Sequence, residues 1–507
     1  MALPGYDNLH VYYGDLHNHC GISYGHGSLL DAYRNARLQL DFASVTPHAY
    51  WPDMPERDRR LASVVAYHQK GFRGAADSWA YLQEVTQAAH QEGEFVTFLS
   101  FEWHSIRHGD HNVYFKGSQG EIIRAADLGE MRANLRRLAG QGVECLLIPH
   151  HIGYLTGYRG ICWEDFTPEF SPVVEIMSMH GLAESDDAPY PYLHTMGPRD
   201  GRSTMQHGLR MGKIFGVIGS TDHHSAHPGS YGHGRMAAWS RELSRDGIWD
   251  AIRSRRTYAL TGDRIELVFS VNGQPMGSML PPSPEREIEV SVKGGGPLDY
   301  VEVLHNNCTI HRWSAHRGEG GKAGEPVKVF LELGWGEQGD IVDWQVELEV
   351  VGGKLLAVEP RLRGRAIVAP QSVEEKSYAF STWQRVGEGH IQLDTRTWGN
   401  PTTVTAATQG VCLEISGEEN THIKGRINDR QVQVALGELK YGSRVGYLGG
   451  FLTAAYSFHR AVPQSECVCH VALPHRRDVE TRDWYYVRVC QKNGQWAWSS
   501  PIWVNGI

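Results

Sequence analysis

The sequence predicts an α/β protein: a distorted (β/α)7 TIM-like barrel followed by an all-β C-terminal region. Three observations carry this expectation. Short apolar runs alternate with helical stretches over the first half of the chain. Beyond residue 265 the text turns into short alternating runs bounded by Gly, Pro and Asn. Of the 27 histidines, 19 fall before residue 234, several where an apolar run stops. A strand end is where an α/β barrel places its active site.

The apolar runs that read as strands are residues 11–16, 42–46, 95–101, 113–115, 144–148, 173–177 and 215–219. Helical stretches separate most of them. The first opens at Ser28, a good N-cap, with Asp31 in its first turn. Residues 78–91 and 127–138 are rich in Ala, Leu, Gln and Arg with helical apolar spacing. Residues 246–256 form the last good helix. Alternating strands and helices predict a parallel sheet, here closed into a barrel.

The C-terminal half supplies strands near 287–292, 300–304, 344–351, 431–436 and 484–489. We therefore expect a barrel over residues 1–264 and a β-sandwich region over 265–507. The latter is long for one sandwich. If 300–304 pairs with 484–489, residues from about 325 to 465 form an inserted second β-module.

Composition excludes several function classes. With 49 Lys and Arg against 58 Asp and Glu, the net charge is −9. This argues against a nucleic-acid-binding surface. No apolar run is long enough to span a bilayer. The first residues lack the basic and apolar regions of a signal peptide. A soluble, cytoplasmic protein is expected, with no membrane partner and an oligomeric state the sequence leaves open. The eight cysteines are scattered, without a CxxC pair, and read as reduced and buried. Cys20, beside His19, reads as packing.

The candidate chemistry sits at the strand ends. His17 and His19 follow Tyr13-Gly14-Asp15-Leu16 and project from the same side of an extended chain. His26 lies in the Gly-rich loop that follows. His48 ends the second strand and Glu102 the third. A carboxylate ending a buried strand is costly unless paired or metal-bound. His111 begins the fourth strand. His150 and His151 end the fifth, and Asp222 and His224 the seventh. Imidazole and carboxylate suit borderline divalent ions. Nine candidate ligands suit two or three ions per chain, with Zn, Mn and Fe all compatible. Adjacent cations lower the pKa of a bridging water and clamp attacking and leaving oxygens.

Around these ligands, His151 and His223 are candidate proton donors, because each adjoins a proposed ligand. Asp15 precedes His17 by two and is placed to orient it. Arg235 is a candidate for charge stabilisation. Tyr24 and His180 are candidate substrate contacts, and Trp51 and Trp103 could pack an aryl leaving group. Residues 50–60 sit where a lid would reach the metals.

The ordered set resembles the PHP (polymerase and histidinol phosphatase) family of metal-dependent phosphoesterases, closest to an uncharacterised branch of it. The matching text includes Gly14-Asp15-Leu16-His17-Asn18-His19, Phe101-Glu102-Trp103, His111-Asn112-Val113, Ile148-Pro149-His150 and Ser220-Thr221-Asp222-His223-His224. It continues through Arg256-Thr257-Tyr258 to the tail Trp496-Ala497-Trp498. The resemblance implies a seven-stranded barrel with a trinuclear site. His17, His19, Glu102 and Asp222 would hold one ion. Glu102 would bridge to a second, completed by His111 and His150. His26, His48 and His224 would hold the third. Two departures stand out. Thr46-Pro47-His48 replaces the family's Thr-Asp-His, and the loop after His19 is longer than usual.

The expected function is hydrolysis of a small-molecule phosphoester, mono-, di- or triester, by a metal-activated hydroxide. Two rivals are an amidohydrolase-type lactonase or amidase, and a non-catalytic metal-stabilised barrel carrying glycan- or partner-binding β-modules. The first rival family closes on a lone Asp and often uses a strand-end Lys. Here the close is Asp222-x-His224, and no Lys ends a middle strand.

Overall fold

The computed structural model describes residues 4–315, 324–365, 377–478 and 482–505. In chain order the first half contains strands β1 (His10–Asp15), β2 (Phe42–Ser44), β3 (His48–Tyr50), β4 (Val96–Trp103), β5 (His111–Phe115) and β6 (Cys145–Pro149). There follow β7 (Val173–Ser178), β8 (Gly181–Leu182), β9 (Gly216–Gly219), β10 (Arg235–Ser240) and β11 (Thr257–Leu260). The main helices are α1 (Leu29–Arg37), α2 (Ala62–Asp77), α3 (Trp79–Ala89), α4 (Leu128–Gly140), α5 (Met205–Arg210) and α6 (Arg245–Arg253).

The protein is mixed α/β, but the barrel expected from the sequence is not closed. β1, β2 and β4 run parallel. β5 and β6 then add antiparallel strands, and on the other side β1 meets β10 and β11 antiparallel. β7, β8 and β9 form a separate three-stranded sheet. Antiparallel neighbours need only a short connection, whereas a parallel pair needs a crossover. The link between β4 and β5 is the loop 104–110 with no helix, so β5 folds straight back and interrupts the parallel run. The predicted strand 42–46 divides into β2 and β3. Pro47 lies between them and has no N–H to give a ladder.

The two sheets nevertheless share a core. Leu16, Phe42, Phe98, Ile148 and Met236 meet Val173 and Ile218 there, all buried. Ser28 caps α1 as expected. Its hydroxyl accepts from Asp31 N at 3.0 Å, and Asp31 Oδ2 accepts from Ser28 N at 3.4 Å. The helix α2 was not anticipated, because Gly71 and Gly74 depress its helix signal. Their purpose is close approach. A Cβ at Gly74 would lie 2.5 Å from Ile22 O, and one at Gly71 would lie 3.1 Å from the Tyr24 ring. α2 can therefore lie directly on the loop that follows His19.

In the C-terminal half, strand Leu298–His305 pairs antiparallel with Asp483–Gln491, Val303 opposite Val487. The chain between them builds a nine-stranded sheet around the 19-residue strands Val342–Pro360 and Gln409–Ile427. The strand Trp496–Ser499 returns to the first half and pairs with β11. No helix among the described residues is long and apolar enough to cross a membrane.

Candidate metal centre

The ends of β1, β3, β4, β6 and β7 and the loop after β9 converge on one buried cluster. Its scaffold is backbone. Asp222 N donates to His17 O at 2.7 Å, His19 N to His223 O at 2.8 Å and Ala226 N to His19 O at 3.1 Å. The 222–226 loop is thus zipped to the segment carrying both β1 histidines. Asp15 fastens the zip: its carboxylate accepts from His17 N, Thr221 N, Thr221 Oγ1 and Gly229 N. Asp15 is therefore a buckle on the backbone and does not reach the cluster as a reacting group.

Glu102 sits at the centre. Its Oε2 lies 2.5 Å from His48 Nδ1 and 3.5 Å from His19 Nε2, and its Oε1 lies 3.2 Å from His150 Nε2. Asp222 Oδ1 lies 3.0 Å from His19 Nε2 and 3.3 Å from His17 Nε2. The two Nε2 atoms of His17 and His19 are 3.2 Å apart. Glu102, His17, His19 and His150 are at most 1% exposed.

Several imidazoles are held in one tautomer. His17 Nδ1 donates to Glu175 Oε2 at 2.9 Å, and His224 Nδ1 to Asp222 O at 2.8 Å. Each then turns an Nε2 lone pair outward, as a metal ligand must.

The cluster fits cations. His17, His19 and Glu102 form one group whose ligand atoms share a small space. So do His17, His150 and Glu175; His19, His48 and His224; and Glu102, His150 and His151. Glu102 Oε2, His48 Nε2, His19 Nδ1 and both nitrogens of His150 are buried without a hydrogen-bond partner. Buried polar atoms are normally satisfied, and these are donor atoms of the type that divalent ions take. The field agrees. Burial alone would lower the His17 imidazole, yet Asp222 and Glu175 push it up to about 10. These two carboxylates favour positive charge at the His17 ring.

Backbone strain is gathered here as well. Asp222, His151, Ala226 and Arg159 all hold left-handed φ, at 52°, 30°, 51° and 73°. Such non-glycine conformations persist where the surrounding structure imposes them, often at functional sites.

Not every anticipated residue arrives. His111 pins Nδ1 on Gly109 O at 2.9 Å and joins none of these groups. His26 binds the loop through its backbone N–H, given to His224 O at 2.7 Å, and joins none either. His19, expected only with His17, Glu102 and Asp222, also stands beside His48 and His224 in the place expected of His26. His223 points away from the cluster, with Nδ1 3.3 Å from Ser225 Oγ. Its ring stacks on His233 at 5.4 Å. Arg235 is fully buried, and its guanidinium is spent on Gly229 O, Gly262 O and Gln39 Oε1. Trp103 alternates away from Glu102 into the core, with Nε1 on Ala125 O.

Tyr24, Trp51, His151 and His180 do line the cavity beside the cluster, a space of about 440 Å³. Tyr24 stacks on His48 at 3.6 Å. His180 Nε2 lies 2.7 Å from Asp222 Oδ2. The loop 50–60 is anchored: Asp53 accepts from Trp51 Nε1, Ser105 Oγ, Ile106 N and Arg107 N.

Sequence reasoning missed Glu175, His104, Asp110 and His68. Glu175 carried a signal: Val173-Val174-Glu175-Ile176 is a carboxylate inside a buried strand, the same argument that found Glu102. Asp110 directly precedes His111. Its Oδ2 accepts from Arg159 Nε at 2.7 Å, and His104 lies 3.4 Å away.

Residues 229–277 match a family described as "Protein of unknown function (DUF3604)". The chain is 26% identical over 262 residues to an uncharacterized protein of Chlamydia pneumoniae, covering 46% of this chain and 40% of that one. It is 28% identical over 169 residues to an uncharacterized protein of Chlamydia muridarum, covering 30% of this chain and 27% of that one. The chain thus spans less than half the length of these curated relatives. Among solved structures it is similar to a two-domain protein containing a predicted PHP-like metal-dependent phosphoesterase from Bacteroides vulgatus. That similarity has a TM-score of 0.31 and 11% identity, over 86% of this chain and 98% of that one.

Proposed function

We propose that this chain is a metal-dependent hydrolase of phosphoesters. One observation carries the reading: a buried cluster of imidazoles and carboxylates, rich in unsatisfied donor atoms, opens onto a ligand-sized cavity. His17, His19, Glu102 and Asp222 would hold one ion. Glu102 and His150 would hold a second, and His48 and His224 would contribute to a third. Bound divalent ions supply Lewis-acid polarisation of a phosphoryl oxygen and a nucleophile at neutral pH.

The protein's own residues set the rest. Glu175 keeps His17 in its ligand tautomer. Arg159 braces Asp110, which faces His104 and His151. His151 and His180 flank the cavity, and His180, with Nε2 2.7 Å from Asp222 Oδ2, can hold the proton that the leaving oxygen needs. Burial keeps the His151 imidazole neutral, its pKa far below the ordinary value.

The same reading takes residues 1–264 as the catalytic unit and 265–507 as a β-sandwich region with an inserted module over about 325–465. The pairing of Leu298–His305 with Asp483–Gln491, on either side of that stretch, supports it.

The test is substitution. His17→Ala and Asp222→Ala should abolish phosphoester hydrolysis while leaving the circular dichroism spectrum of the fold in place. A variant that keeps near wild-type turnover would sink the assignment.

A further inference from the structure

The cavity beside the cluster has two unlike sides. One is the cluster itself. The other is apolar, built from Trp51, Leu61, Val64, Tyr67, Ile106 and Tyr154. Met196 reaches the same space and is 37% exposed. At the mouth, Tyr158 is 65% exposed. Isolated exposed apolar side chains need no explanation, but an apolar wall that continues from a reactive cluster toward the surface does.

The charge on this wall is as informative. Among the described lining residues the only Arg or Lys is Arg159. Its guanidinium is committed to Asp110 through Nε and through a second contact from NH2, and its NH2 also meets His104 Nδ1 at 3.1 Å. It lies over the Trp51 ring at 5.2 Å and the Tyr154 ring at 6.0 Å. It therefore firms the apolar wall, its charge paired with Asp110 and its NH1 3.8 Å from the Met196 sulfur. The wall is also rigid, since the four bonds to Asp53 fix Trp51 and Ile106 to one another. A preformed surface of this kind binds without an ordering cost.

We infer that the substrate is a phosphodiester carrying a bulky apolar group, not a phosphomonoester. The inference rests on the hydrolase reading above and deepens it. A monoester presents a second negative charge at neutral pH, and beyond the ions themselves the one Arg of the described lining is already paired with Asp110. A diester carries one charge, and its apolar arm would displace water from the wall of Trp51, Tyr67 and Tyr154. Both an aryl group and an alkyl chain have that chemistry. The ring-rich wall favours the aryl arm, and the exposed rim of Tyr158 and Met196 would follow a longer chain.

The test uses phosphinates and phosphonates, whose P–C bonds cannot be hydrolysed, in calorimetric titrations of the full chain. Diphenylphosphinate carries one charge and two rings. Dimethylphosphinate carries one charge and none, dihexylphosphinate one charge and alkyl arms, and phenylphosphonate two charges and one ring. Metal-loaded protein should bind diphenylphosphinate at least tenfold more tightly than both dimethylphosphinate and phenylphosphonate. Trp51→Ala should erase the first difference without changing metal content. Dihexylphosphinate outranking diphenylphosphinate would assign the arm to a lipid-like chain and still support an apolar diester. Equal binding of diphenyl- and dimethylphosphinate, or tightest binding of phenylphosphonate, would overturn the inference. The hydrolase reading fails separately, if the apolar preference holds and no ester is cleaved.

Discussion

Glu102 and Glu175 show how differently two buried carboxylates serve one cluster. Glu102 touches His48, His19 and His150 and has no hydrogen bond to Oε2. Glu175 has both oxygens engaged, one by His17 Nδ1 and one by His151 N. The first is built as a ligand, and the second orients ligands. Partners that orient a ligating His typically cost about 10- to 100-fold in metal affinity or activity when lost. Glu175→Gln should therefore weaken metal binding by about that factor, read by competition with a chelating dye. Wild-type affinity in this variant would remove Glu175 from the account. The residues legible from the sequence were those at strand ends with a polar neighbour pattern, such as His17, His19, His150 and Asp222. Side-chain direction was not legible. His223 sits between two cluster residues in sequence and points away from both, and Arg235 looks like a free cation until its three buried acceptors are seen.

At the scale of elements, the cluster depends on how closely α2 lies on the loop after His19. Gly74 allows that contact, because any Cβ there would meet Ile22 O at 2.5 Å. The backbone oxygen cannot step aside as a flexible side chain would. Gly74→Ala should cost about 1–3 kcal/mol by overpacking. It should also shift Tyr24, which stacks on His48, and His68, which lies on α2. Thermal unfolding would show the loss, and KM should rise more than kcat falls. Unchanged stability would mean that α2 is free to move off the loop. The strand–helix alternation of the first half was readable from apolar period alone. The closure of the sheet was not. Whether β5 returns antiparallel is decided by a short loop, and whether β6 meets β7 through a ladder is decided by packing on both faces. Apolar period reports neither.

For the whole molecule, Asp263 is where the parts are tied. Its carboxylate accepts from Tyr231 Oη at 2.6 Å, in the loop that follows the cluster. It accepts from Gln491 Nε2 at 2.6 Å and Asn493 Nδ2 at 2.8 Å, near the C-terminus. Arg361 NH2, at the end of the strand Val342–Pro360, lies 3.1 Å away. Breaking a buried ion pair from one side costs about 3–5 kcal/mol, so Asp263→Ala should lower Tm sharply. A wild-type Tm would show that these halves are held by apolar contacts alone. The pH dependence has a definite sign. Burial alone would raise the Asp263 carboxyl, but Arg361 and the three donors hold it below the usual carboxylate range. A depressed folded pKa means the stabilisation is present above the unfolded value, about 3.9, and is lost as pH falls through the folded one. Tm should fall on acidification below about pH 4, and less steeply in Asp263→Asn. An equal slope in both proteins would place the acid sensitivity elsewhere. This node was invisible in the sequence, since its partners lie between 32 and 230 residues away.

Metal removal reaches all three scales, because ions that bind only the folded chain also stabilise it. Chelation should lower Tm, and Mn²⁺ or Zn²⁺ should restore it. The most direct measurement is hydrolysis of aryl phosphate mono-, di- and triesters by chelated protein before and after Mn²⁺ or Zn²⁺ is returned. The account predicts no release without metal and restored release with it, greatest for the diester. Undiminished hydrolysis by the chelated protein, or no release from any ester by protein that has taken up metal, would contradict it.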